Sequence, residues 1–316
     1  MQICMRMSST IIALSLFILF TVPATESFSK ETRDRTLQRK LEQLVKGFRG
    51  DVGIYVRNLK TGKSAAINAD SLFPAASLVK IPILFSLFEK IENGELQYGA
   101  TLVYRDSLLY PGDDILGAFK DTATITLSKV VMLTLTTSDN TASLWLQQLA
   151  GTGLAINAWL EKNNFRQSRV NSRTPGREEN RRQYGWGQTT PREMAEMLVM
   201  IRQGRAISKA ASDEMYRCLS RTYWDQEACS EIPPYIHVTS KQGAVDQSRS
   251  EVLLVSAPSG DYVFSVITKN QQHTSWKEDN EGFVLLRSVS KLLWKYYEPK
   301  SKWKPAEGKE KYGKEY

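Results

Sequence analysis

The chain has 316 residues and a net charge of +8, a length that suits one large domain or two modest ones. It contains two histidines and three cysteines, so these side chains alone cannot build a zinc site or an iron–sulfur cluster. Its basic residues are not interleaved with aromatic residues as in nucleic-acid-binding modules, and we expect no nucleic-acid partner, no metal and no cofactor.

Residues 1–24 are typical of a secretion signal. Arg6 supplies the positive start, Thr10–Val22 is an apolar core, and the small residues of Val22–Ala24 offer a cleavage site. The apolar core is short for a membrane-spanning helix. We therefore expect cleavage, no stable membrane span and a secreted or periplasmic protein, with an uncleaved anchor as the alternative.

The cysteines raise the question of a disulfide. Cys4 would leave with the signal, so the mature chain would keep Cys218 and Cys229. In an oxidising compartment these two could form a bridge. The alternative is two unrelated small apolar side chains. Sequence cannot fix the geometry of a bridge, so both interpretations stay open here.

In chain order, the first predicted element of the mature chain is an amphipathic helix over about 30–48. Two strands, "VGIYVRNL" and "SAAIN", follow and flank "KTGK", which is typical of a hairpin turn. The segment "SLVKIPILFSLFEKI" is apolar on nearly every side and predicts a helix buried all round. Helical patterns then dominate to about residue 230, interrupted by a polar stretch over 168–189.

Three more strands are predicted in "YIHVTSKQG", "EVLLVSA" and "YVFSVITK", and residues 283–297 predict a last helix. Because strands at both ends must pair across the middle, we predict an α+β fold. It would have one antiparallel sheet flanked by N- and C-terminal helices, with an all-helical subdomain, about 75–230, inserted in a domain spanning 28–298. The lysine-rich residues 299–316 predict a solvated, disordered tail.

The segment "FPAASLVKIP" places Ser77 three residues before Lys80 at the start of the buried helix. Residues i and i+3 share one helix face, so the two side chains can meet. Burial would lower the pKa of Lys80 toward that of a usable base, and a helix N-terminus favours an oxyanion nearby. The structural alternative is that Ser77 caps the helix while Lys80 extends into solvent.

Two further motifs are weak when taken alone. In "SDN", Ser138–Asn140, a hydroxyl can pass on a proton and an amide can hold a substrate carbonyl, although all three residue types also favour helix caps. In "SKQG", Ser240–Gly243, at the end of a predicted strand, Lys241 supplies positive charge and the glycine allows a substrate backbone to approach closely.

Together the three motifs resemble the S-x-x-K, S-D-N and K-T-G set of class A β-lactamases and penicillin-binding proteins. The resemblance covers roughly residues 30–297 and implies a serine hydrolase that forms an acyl-enzyme on Ser77. It implies these further roles: Lys80 as base or proton relay, Ser138 as proton shuttle to the leaving nitrogen, Lys241 as the electrostatic partner of Ser138, and Asn140 as the group that holds the substrate's side-chain amide.

The resemblance also implies an oxyanion hole formed by the backbone N–H groups of Ser77 and Ala244, with Gly243 beside them. Arg249 falls where the family often has an arginine that binds the substrate carboxylate. Gln242 stands where the family usually has a hydroxyl residue in the third motif. Glutamine can donate a hydrogen bond but is longer, so we expect an altered pocket for which Arg249 compensates.

The larger departure lies in 168–189, which aligns with the omega loop of the family. That loop usually carries a glutamate that activates the deacylating water, yet an ungapped count places Thr174 at its position. Glu178 and Glu179 follow shortly after, and one of them is the candidate base, with nothing to distinguish the two. The alternative is that both pair with neighbouring arginines at the surface.

The leading hypothesis is therefore a secreted, monomeric serine hydrolase that opens β-lactam amides, with its deacylation efficiency undetermined. A penicillin-binding-protein-like acyltransferase or carboxypeptidase acting on cell-wall peptides is the alternative with the same Ser77 chemistry. A binding or sensor protein that kept the fold without the reaction is the third hypothesis.

Overall fold

The computed structural model describes residues 31–112 and 114–314, so the predicted signal over 1–24 lies outside the described residues. None of the helices in these two ranges combines the length and the apolar character that crossing a bilayer requires.

Nine α-helices and eleven strands occur in the described ranges. The helices are α1 (Arg35–Leu44), α2 (Lys80–Glu92), α3 (Leu127–Met132), α4 (Asn140–Leu149), α5 (Thr152–Lys162), α6 (Glu178–Tyr184), α7 (Pro191–Arg202), α8 (Lys209–Leu219) and α9 (Glu281–Tyr297). The strands are β1 (Thr32–Arg33), β2 (Asp51–Asn58), β3 (Lys63–Ile67), β4 (Phe73–Pro74), β5 (Thr101–Val103), β6 (Thr124–Thr126), β7 (Arg169–Val170), β8 (Gly187–Thr189), β9 (Val238–Val245), β10 (Ser248–Val255) and β11 (Tyr262–Lys269).

Six strands form the main sheet in the order β1-β3-β2-β11-β10-β9. The first strands and the last strands meet where β2 pairs with β11 along its whole length, so the predicted pairing across the middle of the chain is confirmed. The five longer strands pair antiparallel, while β1 pairs parallel with β3, which makes the sheet mixed. Strand β9 forms one edge of this sheet.

Helices α1 and α9 cover one face of the sheet, which we call the outer face. Leu37 and Leu41 of α1 share an apolar core with Phe264 of β11 and Leu293 of α9, and each of these side chains is buried. Helix α1 starts later than predicted because the carboxylate of Asp34 caps it, accepting the N–H groups of the first turn.

The other face packs against the block of helices α2–α8 in a second apolar core. Helix α2 is buried along nearly its whole length, as its sequence predicts, and Pro82 falls in the first turn, where its missing N–H costs little. The block also contains short strands that were not predicted: β5 pairs with β6, and β8 lies between β4 and β7. These strands have two or three residues each, too few for a period-2 pattern.

Of the two interpretations left open by the sequence, the structure has the one without a bridge, since Cys218 and Cys229 are both free. The sulfur of Cys218, in α8, lies 3.5 Å from the hydroxyl of Tyr98. The sulfur of Cys229 lies 3.4 Å from the hydroxyl of Ser240 on β9. The two thiols therefore contact different elements, which their spacing in the sequence could not reveal.

The lysine-rich segment after α9, predicted to be disordered, follows the surface of the protein as far as residue 314. Its lysines contact acidic residues that are distant in sequence: Lys309 lies 3.0 Å from the carboxylate of Glu231, and Lys314 pairs with Asp225. The lysine-rich composition predicts disorder. It does not show that acidic partners from distant parts of the chain lie nearby.

Candidate active site

Ser77 lies in a short 3-10 turn, Ala76–Val79, that leads into α2. The turn is tied to the rest of the molecule immediately before Ser77, because the N–H of Ala75 donates to the carbonyl of Gly187 at 2.8 Å. Ala76 has a φ of 45°, in the left-handed region that costs a non-glycine residue energy. Such backbone strain persists only where the surroundings enforce it, and it sets the direction of the Ser77 side chain.

The Lys80 ammonium joins the first two sequence motifs. Its Nζ donates to Ser77 Oγ at 3.2 Å, to Ser138 Oγ at 2.9 Å and to Asn140 Oδ1 at 2.9 Å, and it also contacts the carbonyl of Ser138. The side chain is 1% exposed. All of these acceptors are uncharged oxygens. The buried Lys80 amine therefore forms no direct hydrogen bond with a carboxylate.

Burial of Lys80 has a direct chemical consequence. It lowers the pKa of Lys80 to about 7, although the carboxylates of Asp114 and Asp139 act in the opposite direction. A large fraction of the amine is then neutral at neutral pH, which is the form that accepts a proton. Lys80 can therefore act as a base toward the Ser77 hydroxyl.

Lys241 of β9 reaches the same place from the third motif. Its Nζ donates to Ser138 Oγ at 3.0 Å and to the carbonyl of Gln242 at 2.8 Å, and the side chain is buried. Burial lowers the pKa of Lys241, and the positive charge of Lys80 lowers it further. Ser138 Oγ thus lies between two amine nitrogens and can pass a proton between them or to a third group.

Two carboxylates fix the start of α4, which carries the second motif. Asp139 accepts the N–H groups of Ala142 at 2.7 Å and of Leu116 at 2.8 Å, in agreement with a structural role, and burial raises its pKa. Asp114 accepts the N–H groups of Asn140 at 2.9 Å and of Thr141 at 2.7 Å. Asp114 follows a Pro-Gly pair, and this sequence context gives no indication of its distant partners.

The edge of β9 faces the Ser77 turn. Arg249 lies on β10, between β11 and β9. Its backbone N–H donates to Thr268 Oγ1 on β11, so this N–H points away from β9. Since Arg249 pairs with Ala244, the N–H of Ala244 points out of the free edge of β9. A Cβ at Gly243 would lie 2.9 Å from the N atom of Ser77, so this close approach requires glycine. The structure therefore brings the backbone at 77 and at 243–244 together.

Two predicted substrate contacts, Gln242 and Arg249, do not point their side chains toward Lys241 and Ser77. Side chains alternate along a strand, so Gln242 lies on the face opposite Lys241, where it is 7% exposed. Arg249 is 0% exposed, with its guanidinium bonded to the carbonyls of Val245, Ser248 and Ser275. The structure does not bring Arg249 to the cleft, and it does not place Gln242 beside Lys241.

The two candidate glutamates lie at the start of α6, and both are exposed. Glu178 accepts the N–H of Gly176 at 3.1 Å, and Glu179 pairs with Arg182 at the surface. Neither carboxylate is a partner of Ser77, Lys80 or any other group described above. Glu179 thus pairs with a neighbouring arginine, as in the surface alternative, whereas Glu178 bonds a backbone N–H.

The loop over 168–189 has an internal framework that sequence analysis missed. Arg177 donates to Asn171 Oδ1 at 3.0 Å and to Gln188 Oε1 at 2.8 Å. Gln147 of α4 exchanges two hydrogen bonds with Ser172. The sequence gives one signal for this contact. Gln147 lies on the buried side of an apolar helix, and a buried glutamine needs a hydrogen-bond partner.

Thr174, at the position where the family usually has its glutamate, lies inside this framework. Its hydroxyl donates to the carbonyl of Ser172 at 2.9 Å. A Cβ added at Gly153 of α5 would lie 1.7 Å from Thr174 Oγ1, so the side chain packs tightly against α5. Thr174 therefore supplies no base to the groups around Ser77.

Comparisons with known proteins identify the family and the fold. The model of the beta-lactamase enzyme family matches residues 36–297. Beta-lactamase VEB-1 of Pseudomonas aeruginosa is 23% identical over 307 residues, which cover 93% of this chain and 99% of the relative. Beta-lactamase AER-1 of Aeromonas hydrophila is 24% identical over 248 residues, covering 76% of this chain and 80% of the relative.

Solved structures have the same fold. PBP-A superposes with a TM-score of 0.77 at 25% identity, covering 86% of this chain and 100% of that one. The beta-lactamase from Sphaerobacter thermophilus DSM 20745 superposes with a TM-score of 0.74 at 24% identity, covering 84% of this chain and 98% of that one.

Proposed function

Because the chain belongs to the beta-lactamase enzyme family, we propose that it opens the amide bond of β-lactams by acyl transfer to Ser77. One observation carries the proposal: Lys80 Nζ joins Ser77 Oγ to Ser138 Oγ, and Lys241 Nζ reaches the same Ser138 oxygen. Hydrogen bonds thus link the proposed nucleophile Ser77, through the proposed base Lys80, to Ser138 and then to Lys241.

In the acylation step, neutral Lys80 takes the proton of Ser77 Oγ as that oxygen attacks the lactam carbonyl carbon. The negative charge on the carbonyl oxygen is stabilised by the N–H groups of Ser77 and Ala244. When the C–N bond breaks, the lactam nitrogen takes the proton of Ser138 Oγ, which Lys80 replaces with the proton it received. The products are an ester on Ser77, an opened ring and an unchanged base.

Two further residues orient the substrate in this proposal. Asn140 Oδ1 accepts from Lys80, so we assign its Nδ2 to the carbonyl of the substrate's side-chain amide. Lys241, buried at the edge of β9, provides the positive potential that attracts the β-lactam carboxylate and lowers the cost of charge on Ser138.

Water should clear this ester slowly. Glu178 and Glu179 are exposed and bonded elsewhere, and Thr174 is packed against α5. The absence of a well-placed general base typically costs about 10²–10⁴-fold in the step that needs it. We therefore propose that the acyl-enzyme accumulates on exposure to β-lactams.

A second candidate function follows from the same observation. An ester that water clears slowly remains available to an amine acceptor, which suits an acyltransferase acting on cell-wall peptides. The similarity to PBP-A supports this candidate, since a variant of that protein has been solved as an acyl-enzyme complex with penicillin G. The signal pattern in residues 1–24 supports a place outside the cytoplasm for either reaction.

The proposal is tested by mass spectrometry after mixing the protein with penicillin G, followed by dilution into drug-free buffer. We expect an adduct on Ser77 in the wild type, none in Ser77→Ala, and slow loss of the adduct after dilution. Glu178→Gln and Glu179→Gln should form and lose the adduct at the wild-type rates. Absence of any wild-type adduct would contradict acyl transfer, and slower loss in either glutamine variant would restore that glutamate as the base.

A further inference from the structure

The segment after α9 is an addition to the family domain. The family match ends at residue 297, whereas the chain continues along the surface as far as residue 314. It is held at its start by Trp294, whose Nε1 lies 3.3 Å from Ser301 Oγ, and farther along by Lys309 on the carboxylate of Glu231. The family fold does not account for these contacts.

The far end of this segment binds the loop over 222–226. Lys314 Nζ contacts the carboxylate of Asp225 and the carbonyl of Tyr223, and it lies 4.6 Å from the centre of the Tyr223 ring. Gln226 Nε2 in turn donates to the carbonyl of Lys314 at 2.7 Å. One lysine side chain and its backbone thus engage three residues of the loop.

The same loop holds the turn before Ser138. The N–H of Tyr223 donates to the carbonyl of Thr136 at 2.9 Å, and Trp224 Nε1 donates to the carbonyl of Thr137 at 2.8 Å. Both carbonyls belong to the π-helical turn Leu133–Thr137. Two adjacent loop residues therefore support the two residues directly before Ser138.

Ser138 needs such support because its backbone is strained. Its φ is 63°, in the left-handed region. Its Oγ must also stay within hydrogen-bond distance of both Lys80 and Lys241, so a small rotation of the turn would break the proton path. The 222–226 loop has no helix or strand of its own, so its order depends on its partners.

We propose that residues 299–314 form a strap that positions Ser138 through the 222–226 loop, with Lys314 and Trp224 as positioning residues. The proposal rests on acyl transfer through Ser77, because its effect is read in that reaction. The strap contributes no group to the chemistry. It restricts the Ser138 hydroxyl to the position between the two lysines.

The test uses the full chain with four substitutions. Lys314→Ala removes the contacts to the loop, and Lys314→Arg keeps a cation that can bond the same oxygens. Lys311→Ala changes the charge equally at an exposed position of the same segment. Trp224→Phe removes the N–H donor but keeps an aromatic ring against Tyr223, whose ring centre is 5.0 Å away.

Stopped-flow measurement with a chromogenic cephalosporin gives the acylation rate constant and the dissociation constant of the initial complex, and the burst amplitude gives the fraction of active protein. We expect the rate constant to fall about 3- to 10-fold in Lys314→Ala and Trp224→Phe, the effect of losing one or two hydrogen bonds. The dissociation constant and the amplitude should not change. Lys311→Ala and Lys314→Arg should resemble the wild type.

Wild-type rate constants in both Lys314→Ala and Trp224→Phe would overturn the strap proposal. A loss confined to the burst amplitude would also overturn it, because such a loss indicates partial unfolding.

If the wild type itself forms no adduct, the proposed function fails separately. The strap is then tested by hydrogen exchange of the amides over 133–139. Lys314→Ala must accelerate that exchange and Lys311→Ala must not, and equal exchange in the two variants would overturn the proposal.

Discussion

At the scale of single residues, the cleft is organised around one hydroxyl that two buried lysines share. Ser138 Oγ lies 2.9 Å from Lys80 Nζ and 3.0 Å from Lys241 Nζ. Burial penalises both charges and lowers the pKa of each lysine, and the charge of Lys80 lowers the pKa of Lys241 further, so each group loses its proton more readily than an exposed lysine. The site thereby obtains a neutral amine at neutral pH without a histidine or a carboxylate in contact.

The pH dependence of acylation follows from this geometry. Burial lowers the pKa of Lys80 to about 7, and only its neutral form accepts the Ser77 proton. We expect the acylation rate constant to rise with pH through about 7 and then level off. The rate constant should be measured by stopped flow with a chromogenic cephalosporin from about pH 5.5 to about pH 9.

Lys80→Arg is the matched variant for that profile, since it keeps a cation but cannot lose its proton near neutral pH. It should acylate at least about 10²-fold more slowly at every pH, the usual loss for a removed general base. A wild-type profile that stays level across pH 7 would assign the base to another group.

The structure brings the side chains of the three motifs together and separates some peripheral candidates from them. Ser77, Lys80, Ser138 and Lys241 sit in short motifs whose residue types are uncommon together. Arg249 is different, because its direction depends on strand register: pairing with Ala244 turns its side chain to the outer face. Register across a hairpin is set by turn geometry, which the alignment of single residues does not contain.

At the scale of elements, the cleft is built where regular structure is interrupted. Ser77 lies in a 3-10 turn before α2, and Ser138 follows a π-helical turn before α4. The sequence predicted helices at both places, since the apolar pattern continues through the interruptions. It could not predict the positive φ of Ala76 or of Ser138, because neither residue is a glycine and the strain is imposed by tertiary contacts.

The loop over 168–189 is held by Arg177 rather than by its acidic residues. The guanidinium bonds both Asn171 and Gln188, and burial lowers its pKa. Arg177→Ala should remove both bonds and leave Asn171 Oδ1 without its donor, while Gln188 Oε1 keeps the Nδ2 of Asn180, destabilising the loop by about 1–3 kcal/mol. Hydrogen exchange of the amides over 168–189 should therefore accelerate by about tenfold or more.

Arg181→Ala provides the comparison, because Arg181 lies on α6, the short helix that Arg177 directly precedes, and is exposed. Its loop amides should exchange at the wild-type rate. Equal exchange in the two variants would show that the loop does not depend on the Arg177 framework.

At the scale of the whole molecule, two apolar cores lie on opposite faces of one sheet, and the candidate site lies beside the edge strand β9. The sequence predicted this architecture well because hydrophobic periodicity and strand placement report on burial directly. It could not predict that residues 299–314 add a further layer. The contacts of that segment are single ion pairs and hydrogen bonds between residues far apart in the chain, and composition carries no signal for them.

The buried lysines also influence the stability of the whole fold. The pKa of Lys80 is about 7 in the folded protein and 10.5 in a model compound, so the unfolded chain binds more protons between these values. Stability therefore rises with pH in that window, and the cost of burying the cation is largest below pH 7. The active site thus lowers the stability of the fold under acidic conditions.

Lys80→Met removes this titration and keeps an apolar stem of similar length. From about pH 6.5 to about pH 9.5, the unfolding free energy of the wild type should rise by about 2–4 kcal/mol relative to that of Lys80→Met. Urea unfolding at the two pH values measures this difference, and Lys46→Met, at an exposed position, should follow the wild type. A difference between wild type and Lys80→Met that is the same at both pH values would mean that the Lys80 amine titrates alike in the folded and unfolded chains. Burial would then not be the origin of its basicity at neutral pH.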